Sequence, residues 1–121
     1  MTSQTNDPIE FYLSEVAKST PLTKDEENAL FEQLRRGDDK DEAAARKLIE
    51  SKLALVVDIA KRYSSSGMPM LELVQEGNLG LMKALRTFVA NPSDDFTAHA
   101  SALIEAAIRQ AIAEWNPGSR A

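Results

Sequence analysis

Residues 71–88 read LELVQEGNLGLMKALRTF, and this stretch decides the fold. Placed on a helix at about 100° per residue, it has one continuous apolar face. The residues on that face are Leu73, Val74, Gly77, Leu81, Ala84, Leu85 and Phe88. Gly77 and Gly80 each destabilise a helix interior by about 1 kcal/mol relative to alanine. We therefore expect a central helix whose backbone approaches a neighbouring helix closely at its glycines.

The opposite side of this helix mixes polar residues with large apolar ones. Its polar members are Glu72, Gln75, Glu76, Asn78 and Arg86. Leu79 and Met82 lie among them, where the core does not need them. Large apolar side chains on such a face are typical of a protein-docking surface. The alternative is an ordinary solvated surface, since single exposed apolar residues are common.

Composition limits the class of protein. The chain has 121 residues, of which 43% are hydrophobic and 27% charged, as in one soluble domain with a conventional core. It has no cysteine, which excludes disulfides and thiolate chemistry. No apolar run reaches the roughly 18 residues of a membrane span, and MTSQTNDPIE is no signal peptide, so we expect a cytoplasmic protein. The net charge of −5 argues against general affinity for nucleic-acid backbone.

The N-terminal segment predicts two short helices. Asp7 as N-cap and Pro8 at the first helical position open one of them. Thr23 and Glu26 form a capping box that opens the second, and Gly37 suits its C-terminal end. The expected apolar positions of the pair are Ile9, Tyr12, Leu13, Val16, Ala29, Leu30 and Leu34.

Two longer helices are predicted on either side of the central one. The first runs from about Asp41 to Tyr63, and the last runs from a cap at Asp94 or Asp95 to about Trp115. Their expected inner positions are Ala44, Leu48, Val56, Ile59, Tyr63, Ile104, Ile108, Ala111, Ile112 and Trp115. The helix before the central one also has the most basic surface, on which five cationic residues oppose two acidic ones. These are Arg46, Lys47, Lys52, Lys61 and Arg62 against Glu50 and Asp58.

These patterns predict an all-α fold, a compact bundle of about five helices in one domain over residues 1–121. An N-terminal helix pair at 7–36 precedes three core helices at 41–115. His99 is the only imidazole, no nucleophile motif accompanies it, and no metal-ligand spacing or Gly-rich phosphate loop is present. We therefore expect no cofactor, no metal site and no enzymatic activity.

Five segments of the chain resemble a known family. They are DPIEFYL at 7–13, PLTKDEE at 21–27, ARKLIE at 45–50, LVVDIAKRY at 55–63 and LVQEGNLGLMKA at 73–84. In this order they resemble a housekeeping-class bacterial sigma factor. The resemblance covers residues 7–115 and needs no gap from Leu71 to Ile112.

The resemblance implies that the central helix docks on the clamp helices of bacterial core RNA polymerase. In the family this contact uses the residues that match Gln75, Glu76, Asn78 and Met82, with an Asp at the position of Glu72. Leu79, exposed on the same side, completes the set of polymerase-binding candidates. The resemblance therefore agrees with the docking surface that the helical pattern predicts.

The last helix departs from the family pattern. The family enters it through a basic, aromatic loop, and its aromatic residues stack on bases of the promoter's minus-ten element. Here the loop ends in Asp94 and Asp95 without Tyr, Arg or Lys. His99 replaces a Tyr, Ala102 and Leu103 replace a Trp pair, and Glu105 and Ala106 replace Arg-Gln. Since stacking on bases requires aromatic rings, the resemblance implies weak or absent binding of promoter DNA.

Three functions remain open from the sequence. The first is a sigma-like regulator or competitor of transcription initiation that docks on polymerase without reading the minus-ten element. The second is a working initiator, or half of a split sigma factor, in which DNA is read by the basic helix or by a partner chain. The third is a helical scaffold. The family's later domains have no counterpart in these 121 residues, and the sequence leaves the oligomeric state open.

Overall fold

The computed structural model describes residues 8–37, 41–92 and 95–115. Within these ranges the regular structure is entirely helical, which confirms the all-α prediction. The helices are α1 Pro8–Ala17, α2 Lys24–Arg36, α3 Asp41–Glu50, α4 Leu53–Lys61, α5 Met70–Ala90 and α6 Phe96–Glu114. Asp7 and Asp94, both predicted as caps, lie outside the described residues.

The single helix predicted over residues 41–63 is wrong, because α3 and α4 are separated at Ser51 and Lys52. The Ser51 hydroxyl donates to the Leu48 carbonyl at 2.7 Å, and Lys52 N–H donates to the Ile49 carbonyl three residues back at 3.0 Å. Serine competes in this way for backbone partners, and three-residue bonds tighten a helix end. The described residues therefore hold six helices where we expected about five.

The helix ends follow the sequence signals. Thr23 Oγ1 accepts from Glu26 N–H at 3.1 Å, and Glu26 Oε1 accepts from Thr23 N–H at 2.8 Å, so the capping box is present. Gly37 ends α2 with φ 65, the left-handed conformation that favours glycine. Asp95 caps α6 by accepting from Thr97 N–H at 3.0 Å.

Helix α5 packs against both α4 and α6. Its inner face is buried at every predicted position: Leu73, Val74, Gly77, Leu81, Ala84, Leu85 and Phe88. A Cβ added at Gly77 would lie 2.7 Å from Val56 Cγ1 on α4, and one at Gly80 would lie 2.6 Å from the Leu103 carbonyl oxygen on α6. Both glycines thus lie where a neighbouring helix approaches α5 closely, as the sequence indicated.

Helix α2 joins the core through an aromatic cluster. The Phe31 ring centroid lies 4.8 Å from Phe88 and 5.0 Å from Phe96, and the latter two are 5.1 Å apart. We did not identify Phe31 from the sequence, and Ala29, which we placed on the inner face, is exposed. Side chains two residues apart on a helix point in directions about 200° apart. Ala29 therefore points outward when Phe31 points into the core.

A buried ion pair joins α2 to the break between α3 and α4. Glu27 is only 6% exposed, and its Oε2 lies 3.0 Å from Lys52 Nζ. Lys24 Nζ lies 3.9 Å from the other carboxylate oxygen. Lys52 Nζ is also 5.9 Å from the centroid of the Phe96 ring. The break after α3 therefore places a lysine where it compensates a carboxylate inside the bundle.

Candidate functional site

The outer face of α5 carries an exposed apolar stripe. Leu79 is 57% exposed and Met82 is 46% exposed. Leu71, in the first turn of α5, is also exposed, although we did not single it out from the sequence. The docking surface, as we define it, comprises Glu72, Gln75, Glu76, Asn78, Leu79 and Met82. Gln75 is exposed, whereas Glu72, Glu76 and Asn78 are half-buried. The structure thus brings all six predicted residues together on one helix.

Helix α1 contacts one edge of this docking surface. Asn78 Nδ2 donates to the hydroxyl of Tyr12 at 3.4 Å. Asn78 Oδ1 is buried without a hydrogen-bond partner in the part of the chain that the structure describes. Pattern analysis of α5 alone could not reveal this contact, because Tyr12 is distant in the sequence. The N-terminal helix therefore helps to orient a candidate docking residue.

A groove of about 320 Å³ lies between α5 and α6 beside the docking surface. Leu79 and Met82 line it from α5, and Leu103 and Ala106 line it from α6. Lys83 and Arg86 also belong to its lining, with Gly80, Ala107 and Gln110 completing it. Two positions that we predicted as degenerate DNA-reading residues thus share a surface with two predicted docking residues.

Three of the degenerate positions, Ala102, Glu105 and Ala106, follow one another closely on α6. Ala102 and Ala106 are exposed, and Glu105 is half-buried. The Tyr63 hydroxyl donates a hydrogen bond to Glu105 Oε2. This bond, together with burial and the carboxylate charge, raises the pKa of Tyr63 above its ordinary value of 10.0, while Arg109 acts in the opposite direction. Glu105 is therefore held by Tyr63, which follows the end of α4, and its carboxylate lies at this surface.

His99 lies against α5. Its Nε2 atom is 2.7 Å from Thr87 Oγ1, within hydrogen-bond distance, and its ring centroid is 5.8 Å from that of Phe88. His99 is half-buried. An imidazole in this arrangement is engaged within the bundle, and it offers less of its ring to an incoming base than a free aromatic side chain would.

The basic surface on α3 and α4 is smaller than the sequence predicted. Arg46, Lys47, Lys61 and Arg62 are exposed. Lys52 is not part of this surface, because its side chain is 17% exposed and paired with Glu27. Our prediction treated residues 41–63 as one straight helix, and the break at residues 51–52 redirects this lysine.

The described ranges contain neither a metal-binding cluster nor a helix able to span a membrane. No group of three His, Cys, Asp or Glu residues there is arranged to hold a metal ion. None of the described helices is both long and apolar enough to cross a membrane.

This chain is similar in sequence to a known protein family. A family model described as Sigma-70 region 2 matches residues 48–115. The RNA polymerase sigma factor SigA of Listeria monocytogenes is 46% identical over 109 residues, and those of a Bacillus species and of Lactococcus lactis subsp. cremoris are 44% and 43% identical over the same length. Each match covers 90% of this chain but only 28% to 30% of the relative. The chain therefore spans less than a third of the curated relatives that it matches.

Proposed function

Because this chain belongs to the sigma-70 region 2 family, we propose that it binds bacterial core RNA polymerase through the docking surface on α5. The partner element is the pair of clamp helices, which the family resemblance implies for the residues matching Gln75, Glu76, Asn78 and Met82. Binding there occupies the site that a housekeeping sigma factor needs.

One observation carries the proposal. Leu79 and Met82 are exposed on a helix whose opposite face is completely buried. The fold gains nothing from their exposure, whereas burial of one such side chain against a partner contributes about 1.5–3 kcal/mol. The polar residues beside them supply the hydrogen-bonding rim that protein interfaces contain.

We propose in addition that this chain does not read or melt the minus-ten element. Ala102 and Leu103 provide no ring for a base, and each lost base–aromatic stack removes about 1–3 kcal/mol. The Glu105 carboxylate stands where the family has Arg and opposes DNA phosphates. A protein that docks without opening DNA is a competitor of initiation, since two ligands of one site exclude each other by mass action.

A second candidate function is promoter-specific initiation, by this chain as a working sigma factor or with a partner chain. The observation that favours it is the exposed basic surface of Arg46, Lys47, Lys61 and Arg62. Exposed basic side chains contact phosphates, although they supply no base stacking. The two functions predict opposite effects on transcription.

Initiation from a sigma-dependent promoter in a purified system tests the proposal. We expect added protein to inhibit initiation, and we expect the inhibition to fall as housekeeping sigma factor is raised. Elongation from a preformed scaffold should be unaffected.

Met82→Ala should weaken polymerase binding by about 1–3 kcal/mol, as for interface anchors. Phe11→Ala, which also truncates an exposed apolar residue but lies on α1, is the matched control.

Each of the following results would contradict the proposal or one of its parts. Inhibition that does not depend on sigma concentration would exclude competition for one site. Stimulated initiation, or permanganate-reactive thymines at the minus-ten element in the absence of another sigma factor, would support the second candidate. Unchanged polymerase affinity of a folded Met82→Ala variant would reject the docking surface itself.

A further inference from the structure

The groove between α5 and α6 exists because the two helices approach closely at Gly80. A Cβ at this position would lie 2.6 Å from the Leu103 carbonyl oxygen and 3.0 Å from the Ile104 Cα. The absence of a side chain brings Leu103 and Ala106 beside Leu79 and Met82, in one groove of about 320 Å³. The exposed apolar area of α5 therefore continues onto α6.

The chemistry of the groove is apolar with a positive edge. Leu79, Met82, Leu103 and Ala106 supply apolar walls. Lys83 and Arg86 line the same groove from α5 and are exposed. Neither cation forms an ion pair with any residue that the structure describes.

Acidic residues of α6 do not neutralise this edge. The Glu105 carboxylate accepts a hydrogen bond from Tyr63, and Glu105 does not line the groove. Glu114 accepts from Gln110 at 3.3 Å at the far end of the helix. The edge formed by Lys83 and Arg86 therefore keeps its positive charge for a partner.

We propose that the polymerase contact extends across this groove, so that Leu103 and Ala106 are protein-docking residues. The occupant is an α-helix of the same polymerase partner, which places an apolar side chain between α5 and α6 and a carboxylate near Lys83 and Arg86. This inference rests on the proposed function. It assigns a use to two positions at which the family resemblance indicates lost DNA reading.

Continuity of the surface carries the inference. A partner helix that covers Leu79 and Met82 covers one wall of the groove, and the other wall is formed by Leu103 and Ala106. Polar or charged residues at these α6 positions would break the apolar surface, whereas leucine and alanine extend it. The rim cations determine which partner helix fits, since an acidic one gains complementary charge and a basic one is repelled.

Binding of core RNA polymerase to the full chain and its variants tests the inference. Ala106→Glu puts a carboxylate into the apolar groove, and we expect an affinity loss of about tenfold or more. Ala98→Glu adds the same charge to an exposed position of α6 outside the groove, and we expect the affinity to remain as in the unmodified chain. Both alanines are exposed, so both variants should fold, as circular dichroism will show.

A charge reversal tests the rim separately. Arg86→Glu should weaken binding and reduce its dependence on salt, because screening acts on exposed complementary charges. Unchanged affinity and unchanged salt dependence would show that no carboxylate lies near this edge, which would overturn that part of the inference.

The outcomes separate this inference from the proposed function. If Met82→Ala weakens binding but Ala106→Glu binds as tightly as Ala98→Glu, the α6 wall of the groove is not part of the contact, which overturns the inference while the docking proposal stands. If Met82→Ala has no effect, the docking surface is wrong and the inference falls with it. Sedimentation equilibrium could show that the chain self-associates and that Ala106→Glu abolishes this self-association. The groove would then bind a second copy of the chain, which also overturns the inference.

Discussion

Helices α5 and α6 each bury one face in the same core, and their outer faces differ. The buried faces meet at Gly77 and Gly80 on α5 and at Ile104 and Ile108 on α6. Outside, α5 presents Leu79 and Met82 among polar residues, while α6 presents alanines and a glutamate held by Tyr63.

This difference shows that fold and function depend on separate sets of residues in one helix pair. The inner face of α6 is buried in the core, although its outer face lacks the aromatic side chains that the resemblance associates with DNA. Overall identity to a relative therefore does not say which outer residues of α6 are retained. The outer residues must be considered one at a time before a function is assigned.

The largest expected effect on the free energy of unfolding is at α6, where two neighbouring residues lie on opposite faces of the helix. Ile104 is fully buried, so Ile104→Ala removes packed atoms and should lower the free energy of unfolding by about 2–5 kcal/mol. Leu103 is half-buried at the groove, and Leu103→Ala should lower it by only about 1 kcal/mol. Chemical denaturation measures both. Equal losses of unfolding free energy would show that Leu103 is packed in the core as tightly as Ile104.

A smaller effect is expected at the two glycines of α5. Gly80→Ala forces a Cβ against a backbone carbonyl of α6, and overpacking of this kind destabilises by about 1–3 kcal/mol, offset in part by the helix preference of alanine. At Gly77 the nearest atom is Val56 Cγ1, which belongs to a side chain rather than to the backbone. Gly77→Ala should therefore be less destabilising in thermal melts. The reverse order would mean that α5 packs more tightly on α4 than on α6.

The smallest effect concerns Tyr63 and Glu105. Because the hydrogen bond to Glu105 raises the pKa of Tyr63, the fold favours the protonated phenol. The resulting stabilisation is fully present below the ordinary value of 10.0 and is lost as pH rises through the raised folded value. Tyr63→Phe should therefore flatten the fall in stability at alkaline pH. In a Tyr12→Phe background, tyrosinate absorbance should show an alkaline-shifted titration that Glu105→Gln moves back.

Much of the fold could be predicted from the sequence because local signals and tertiary packing agree. The capping box at Thr23, the left-handed Gly37 and the apolar face of α5 are local patterns, and all three are present. The exposure of Leu79 and Met82 follows from the same helical period. These features need no information about distant contacts.

The features that were missed depend on contacts between distant segments. Residues 41–63 have a continuous helical pattern, and the break at Lys52 is coupled to Glu27 on α2, which no local window contains. Likewise, Phe31 is buried because rings from α5 and α6 surround it. The groove between α5 and α6 could not be predicted, since it requires the distance between two helices rather than the pattern of either.

The aromatic cluster has a consequence for where the molecule can be divided. The family match begins at Leu48, yet Phe31 and Glu27 precede it and pack inside the same bundle. A fragment that starts at the matched boundary would leave Phe96 without one of its ring partners and Lys52 without its carboxylate. The segment that the family model matches is thus shorter than the packed bundle. Binding measured on the matched region alone would report on a loosened bundle rather than on the native docking surface.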